Sequence, residues 1–348
     1  MPVRHIKQMI VRAATGPWVA PLLAPLMRGV GTVFMLHRFA DAERGNAGFD
    51  PARLRSHLAA LRAARRPLVS LDDLVSRAND GALGSDSPIA FTVDDGYADF
   101  ATVAAPIFAE FDCPVTVFLV SGVIDRRDWF WWDRITAALD GTTKSTATLV
   151  IAGERRSFGW TNAVERSHVG TNLMEALKLV GNDERLRVLA VLVDQLGVDL
   201  PPQPPPRFAA MTWDDVRRCA GQGATFGGHT VTHPVLSRVS DTEADAEITR
   251  SLGRVREETS AVTDVFCYPN GRPQDFTERE VSLLKARRCR GAVTTSQGYV
   301  TTAALARDGD ATRYRLPRFA LPEEWHETVQ ILTGIERAKL RVRRVFAP

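Results

Sequence analysis

The sequence predicts an α/β protein built on a parallel sheet or barrel. Three observations carry this expectation. Short apolar runs, such as Thr32-Val33-Phe34-Met35-Leu36, Pro88 to Val93 and Pro114 to Val120, alternate with helix-like stretches. The chain has 348 residues, a length that a single α/β barrel commonly uses. Hydrophobic residues make up 45% and charged residues 24%, enough apolar side chain for a sizeable core.

The N-terminal segment, residues 1–28, is read as amphipathic. Arg4, Lys7 and Arg12 precede a partly apolar run from Trp18 to Met27, which Pro17, Pro21 and Pro25 interrupt and Arg28 closes. No small-x-small cleavage site follows, and the run is too short to span a bilayer as a helix. The expected location is therefore cytoplasmic, peripheral at the inner membrane if the basic ends engage anionic lipid. From 29 to 327 runs the main domain. Its first strand ends at His37, and a helix over 50–64 follows, with Asp50 as N-cap and Pro51 in the first turn. The second strand stops at Asp94, Phe100 to Phe111 reads as helix, and the third strand ends at Val120.

The alternation breaks between about 125 and 207. This stretch holds the aromatic run Trp129-Phe130-Trp131-Trp132, a hairpin near Thr148 to Phe158 and helices around 163–180 and 183–196. It closes on Pro201-Pro202-Gln203-Pro204-Pro205-Pro206, a stiff return path, so it reads as a helical insertion. The alternation resumes with a helix opened by Thr212, a strand from Gly223 to Phe226, and a helix from Asp241 to Glu258. A strand from Val262 to Cys267, a helix over 277–288 and strands near 290–295 and 314–319 follow. Residues 328–348 are expected to form one basic helix, with Arg337, Lys339, Arg341, Arg343 and Arg344.

Charge and cysteines exclude some function classes. A net charge of +3, with no arginine stripe interleaved with aromatics, gives no reason to expect a nucleic-acid partner. Cys113, Cys219, Cys267 and Cys289 show neither a C-x-x-C pair nor metal-finger spacing, so reduced, buried thiols are expected.

The chemistry is concentrated in Thr92-Val93-Asp94-Asp95-Gly96 and His229-Thr230-Val231-Thr232-His233. Neighbours on a strand point to opposite faces, so adjacent acids share a site only where a strand ends, and Gly96 permits that bend. The histidines are four apart, a spacing that places both imidazoles on one side of a helical turn. Gly227-Gly228 before them allows close backbone approach. Two carboxylates and two histidines are the inventory of a hydrolytic metal site, with three ligands and one spare base.

These motifs resemble the T-F-D-D-G and H-[ST]-x-x-H signatures of the polysaccharide deacetylases (carbohydrate esterase family 4, the NodB-homology domain). Val93 stands where that family usually has Phe. Phe266-Cys267-Tyr268-Pro269-Asn270-Gly271 resembles the family's third motif. The resemblance covers about 33–122 and 208–320. It implies a distorted (β/α) barrel with fewer than eight strands, and a deacetylase that removes the N-acetyl group of an amino sugar in a glycan or glycolipid precursor of a surface polysaccharide. It implies Asp94 as catalytic base, and Asp95, His229 and His233 as ligands of a divalent metal. Zinc is the first choice, and cobalt, nickel or iron would suit the same donors. The segment Tyr268, Pro269, Asn270 and Gly271 would supply a backbone N–H to the oxyanion.

Two departures from the family pattern matter. No late apolar strand ends in Leu-x-His to supply the acid, yet Met35-Leu36-His37 has a similar form near the N-terminus. A branch resembling the biofilm poly-N-acetylglucosamine deacetylases has such a permuted order, so His37 is expected to be the general acid. Cys267 replaces an arginine that orients the catalytic Asp, and Arg318 is the candidate to supply that charge from another strand. Asp99 is a candidate to support the metal ligands. A glycan O-acetyl esterase and a glycan-binding protein without activity are the alternatives.

Overall fold

The computed structural model describes residues 24–125 and 129–346, so most of the N-terminal segment, together with residues 347–348, lies outside the described residues. The first strand, β1 (Val30–Leu36), is followed by α1 (Pro51–Ala63) and α2 (Leu71–Asn79). Asp50 caps α1 by accepting the Ala52 amide, and Pro51 sits where a missing N–H costs nothing. Helix α2 was not expected from the sequence. Ser70 caps it, and Leu71, Leu74, Val75 and Ala78 form its buried stripe.

Next come β2 (Ile89–Val93), α3 (Ala105–Glu110), β3 (Val115–Leu119) and the single turn α4 (Ser121–Ile124). Both β2 and β3 are buried at every position, as expected for parallel strands covered on two faces. The insertion then supplies α5 (Trp131–Gly141), the hairpin β4 (Thr146–Ile151) and β5 (Glu154–Gly159), α6 (Ala163–Leu177) and α7 (Asn182–Leu196). The chain returns through α8 (Trp213–Ala220), β6 (Ala224–Gly228), α9 (Asp241–Glu258), β7 (Val265–Cys267), α10 (Glu278–Ala286) and β8 (Gly291–Val293). It ends with β9 (Val300–Thr301), α11 (Thr302–Asp308), α12 (Asp310–Arg313), β10 (Phe319–Ala320), α13 (Trp325–Leu332) and α14 (Ile335–Phe346).

The parallel strands run in the order β10-β1-β2-β3-β6, with β7-β8 as a separate parallel pair. Single bridges join the two groups: Phe226 to Val262 beside β6, and Val293 to Leu316 beside β8. The seven strands β1, β2, β3, β6, β7, β8 and β10 thus form a distorted ring, with fewer than the eight of a regular barrel. Strand β9 lies outside the ring, antiparallel to β1. Phe34, Phe91, Phe108, Val117 and Phe226 belong to its main buried cluster.

The insertion has its own buried cluster, including Trp131, Ile135, Leu149, Leu173 and Leu189. Each such side chain contributes about 1.5–3 kcal/mol on burial, so the insertion is held by its own core rather than by surface ion pairs worth about 0–1 kcal/mol. Two sequence expectations need correction. The strand near 314–319 shrinks to β10 plus a bridge at Leu316. The single basic helix over 328–348 is two helices, because Gly334 takes φ 84° and breaks the run between α13 and α14.

Candidate active site

The chemically equipped residues gather at the C-terminal ends of the ring strands, where open and closed α/β sheets build their sites. His37 follows β1, Asp94 and Asp95 follow β2, His229 follows β6 and Tyr268 follows β7. The bend after β2 is sharp. Asp95 has φ 76° and Gly96 φ 82°, so the turn that lets adjacent carboxylates share one cavity is made by both residues. Aspartate tolerates this left-handed region better than most side chains.

Asp95 meets both histidines. Its Oδ1 lies 3.6 Å from His229 Nε2 and 3.7 Å from His233 Nε2, and all three residues are buried. Their donor atoms lie within 4.8 Å of one another. A tetrahedral ion with bonds of about 2.0–2.1 Å spaces its ligands about 3.4 Å apart, so two imidazoles and a carboxylate fit a zinc-like divalent ion. His229 Nδ1 lies 2.7 Å from the Cys267 carbonyl oxygen, a bond that aims Nε2 at Asp95. Burial, reinforced by His229, pushes His233 down to about 3, so its ring is neutral with a lone pair to offer. Burial works against charge on Asp95 as well, but the adjacent His229 holds its carboxyl below the usual range.

The segment carrying the histidines is not the expected helical turn. Thr230 has φ 66° and His233 φ 58°, and the stretch lies between β6 and a short 3-10 turn at Leu236–Arg238. An external carboxylate shapes it. Glu247 of α9 accepts the Val231 amide at 2.7 Å, the Thr232 amide at 2.9 Å and the Thr232 hydroxyl at 2.8 Å. Thr230 Oγ1 accepts the His233 amide at 3.0 Å. On the other side, Gly122 N donates to the Val231 carbonyl, and a Cβ on Gly122 would lie 2.6 Å from that oxygen. Nothing in the sequence marked Glu247, a glutamate on an ordinary amphipathic helix.

Asp94 is held differently from its neighbour. Arg318, wholly buried, donates from both terminal nitrogens to the two Asp94 oxygens at 2.7 Å each. It also donates to Thr92 Oγ1 and to the Thr294 carbonyl, and its Nη2 lies 3.3 Å from Cys267 Sγ. Cys267 is small enough for the guanidinium to pass beside it, so the charge arrives from the segment entering β10. Burial alone would raise the Asp94 pKa, but Arg318, with His37 and His229, holds it well below the usual carboxylate range. His37 Nε2 lies 3.7 Å from Asp94 Oδ2, and its side chain is 44% exposed at the cleft mouth.

Among the described residues, Asp99 bonds to Arg38, Phe39 and Asn46 rather than to the histidine cluster. It accepts the Phe39 amide at 3.0 Å and Arg38 Nε at 2.6 Å, and so anchors the chain just after His37. In the third motif, Asn270 has φ 57° and lines the cleft, with its Nδ2 buried and without a hydrogen-bond partner. Tyr268 also lines it, with its ring stacked on Phe276 at 3.8 Å. The Gly271 amide is engaged by the Pro269 carbonyl at 2.6 Å, which leaves it no proton for an oxyanion.

Asp94, Asp95, His229, His233, Tyr268 and Asn270 border a cleft of about 450 Å³, together with His37. Trp131 and Trp132 line it as well, and Trp132 meets the His233 ring edge-on at 4.7 Å. The insertion adds Thr171, Met174, Glu175 and Lys178 from α6 and the residue after it. No sequence motif indicated those four.

A parallel strand ring carrying a His–His–Asp cluster beside an arginine-clamped aspartate gives the chain a distorted (β/α) fold with a candidate metal site. The family described as Polysaccharide deacetylase matches residues 191–288, a stretch that includes His229, His233 and Tyr268 to Gly271 but not Asp94 and Asp95. The fold is similar to that of the deacetylase PplD from Streptococcus pyogenes, solved with acetate, at 15% identity and TM-score 0.55, covering 88% of this chain and 98% of that one. IcaB from Ammonifex degensii is similar at 14% identity and TM-score 0.54, again over 88% and 98% of the two chains. The polysaccharide deacetylase BC0361 from Bacillus cereus matches at 13% identity and TM-score 0.50, over 87% of this chain and 69% of that one. At these identities the structural likeness is one of fold. No curated protein sequence matches the chain. The family model thus matches one part of the chain, while the shared fold extends over most of it.

Proposed function

We propose that this chain hydrolyses the N-acetyl group of an amino sugar in a glycan or glycolipid, releasing acetate and a free amine. The observation that carries the reading is the separation of two adjacent carboxylates into two environments. Asp95 faces two imidazoles, while Asp94, within 4.8 Å of a His229 nitrogen, is clamped on both oxygens by Arg318. A divalent ion held by Asp95, His229 and His233 would supply Lewis acidity toward water and the acetamide carbonyl.

The remaining work belongs to the protein. Asp94, ionised and oriented by Arg318, accepts the proton of the attacking water. Asn270 Nδ2, buried and unpartnered at the cleft wall, is placed to donate to the substrate. His37, at the exposed mouth and 3.7 Å from Asp94, delivers a proton to the departing nitrogen, without which an amide does not cleave.

An ester leaves as an alkoxide and needs that proton less. His37→Ala is therefore expected to lower kcat on an N-acetylated sugar by about 10²–10⁴-fold, while hydrolysis of a matched O-acetyl ester falls far less. The check is acetate release from both substrates by one enzyme preparation. Equal losses on amide and ester would remove His37 from the acid role.

A further inference from the structure

The insertion does more than decorate the ring. It leaves the ring after β3 and returns before β6, yet α6 reaches past β6 to the segment after β7. There Glu175 accepts from Arg272 at 2.8 Å, and Lys178 donates to the same carboxylate at 2.7 Å. Both partners of the Glu175–Arg272 pair line the cleft that holds Asp94 and the histidines. The cleft is thus walled along the β3, β6 and β7 side. The opposite side, at the end of β1, carries the exposed His37.

That wall is rigid for a reason other than the ion pair. Leu173 and Leu177 of α6 are buried in the insertion's own cluster with Trp131, which lines the cleft itself. A half-exposed salt bridge adds little to such a core, so it finishes the rim rather than supporting it. At about 450 Å³ the cleft also falls toward the small end of small-molecule sites, roughly 300–1,000 Å³.

We propose, resting on the deacetylase reading above, that the enzyme acts on a terminal N-acetylated sugar rather than on internal residues of a long chain. Among the described residues, a cleft walled by the insertion on one side and bordered by the half-exposed His37 on the other would admit a chain end from the His37 side and give a continuing chain no exit. A free oligosaccharide end and the head group of a glycolipid present the same terminal unit.

The test compares a short N-acetylhexosamine oligomer, a lipid-linked one and a long polymer of one linkage, measuring acetate and mapping the freed amines by tandem mass spectrometry. The expected result is amines at chain termini only, with kcat/KM per acetyl group on the order of tenfold lower for the polymer. Activity on the lipid-linked but not the free oligomer assigns the terminal unit to a glycolipid, and the converse to a free glycan. Glu175→Ala combined with Arg272→Ala lowers the rim and is expected to raise the polymer-to-oligomer ratio several-fold. Internal residues deacetylated by the unmodified enzyme as fast as terminal ones would overturn the proposal, as would an unchanged ratio in the double variant. No acetate from any amino-sugar substrate would instead bring down the deacetylase reading on which it rests.

Discussion

The Asp94–Arg318 pair is the most consequential contact in the site. Both side chains are buried, both carboxylate oxygens are used, and the guanidinium has further bonds to Thr92 and Thr294. Removing one partner of such a pair strands the other, a loss of about 3–5 kcal/mol. Arg318→Ala is expected to show that loss in urea unfolding, together with reduced turnover. Arg318→Lys restores charge but not the fork, so it is expected to recover little. A loss below about 1 kcal/mol for Arg318→Ala would contradict the buried clamp. The sequence made the acids, the histidine pair and His37 legible, because each sits at a strand end in a recognisable spacing. It left the arginine's exposure open, since one Leu-Pro-Arg step does not say which way the side chain turns. Asp99 was legible as an acid but not in its role, because its partners Arg38 and Phe39 lie on another strand's exit.

At the level of elements, the histidine segment owes its shape to a helix distant in sequence. Four-residue spacing suggested a helical turn, yet two left-handed residues and the Glu247 bonds produce an irregular loop with the same convergence of imidazoles. Spacing reports which side chains are able to meet, not the backbone that brings them together. Glu247→Ala is expected to weaken divalent-metal binding by about 10–100-fold, as loss of supporting hydrogen bonds typically does. Isothermal titration with zinc on the metal-free protein measures this, and unaltered affinity would mean the loop holds its form without Glu247. Helix α2 escaped the sequence reading, although Ser70 and its apolar spacing mark it in retrospect.

For the whole molecule, the ring of strands and the insertion meet at a buried polar joint. Tyr97, two residues after Asp95, donates to Asp133 of α5 at 2.7 Å and accepts from Trp132 Nε1 at 2.8 Å. Burial pushes Asp133 up to about 7, against the opposing hydrogen bond from Tyr97. The folded chain therefore keeps this proton to a higher pH than the unfolded chain, whose Asp titrates near about 3.9. Stability from this group is full below that value and declines as pH rises toward about 7. Asp133→Asn is expected to flatten the decline, by on the order of 4 kcal/mol at most, in denaturant melts across that range. Parallel pH profiles for the two proteins would dismiss the joint as a titrating group. The alternation of strands and helices gave away the parallel strands, and its break after β3 pointed to the stretch that has its own buried cluster. The reach of α6 over the cleft was not legible, because it depends on how one separate core docks on another.

On the reading proposed above, Asp95, His229 and His233 hold one divalent ion while Asp94 acts as base beside it. This arrangement is tested most directly by titrating metal-free protein with zinc while following acetate release, for the unmodified chain and for Asp94→Asn. Expected are no acetate without metal, activity rising to a plateau at one equivalent, and an Asp94→Asn protein that binds the same equivalent yet turns over at least about 10²-fold more slowly. Full acetate release from the metal-free protein, or unchanged turnover in Asp94→Asn, would contradict it.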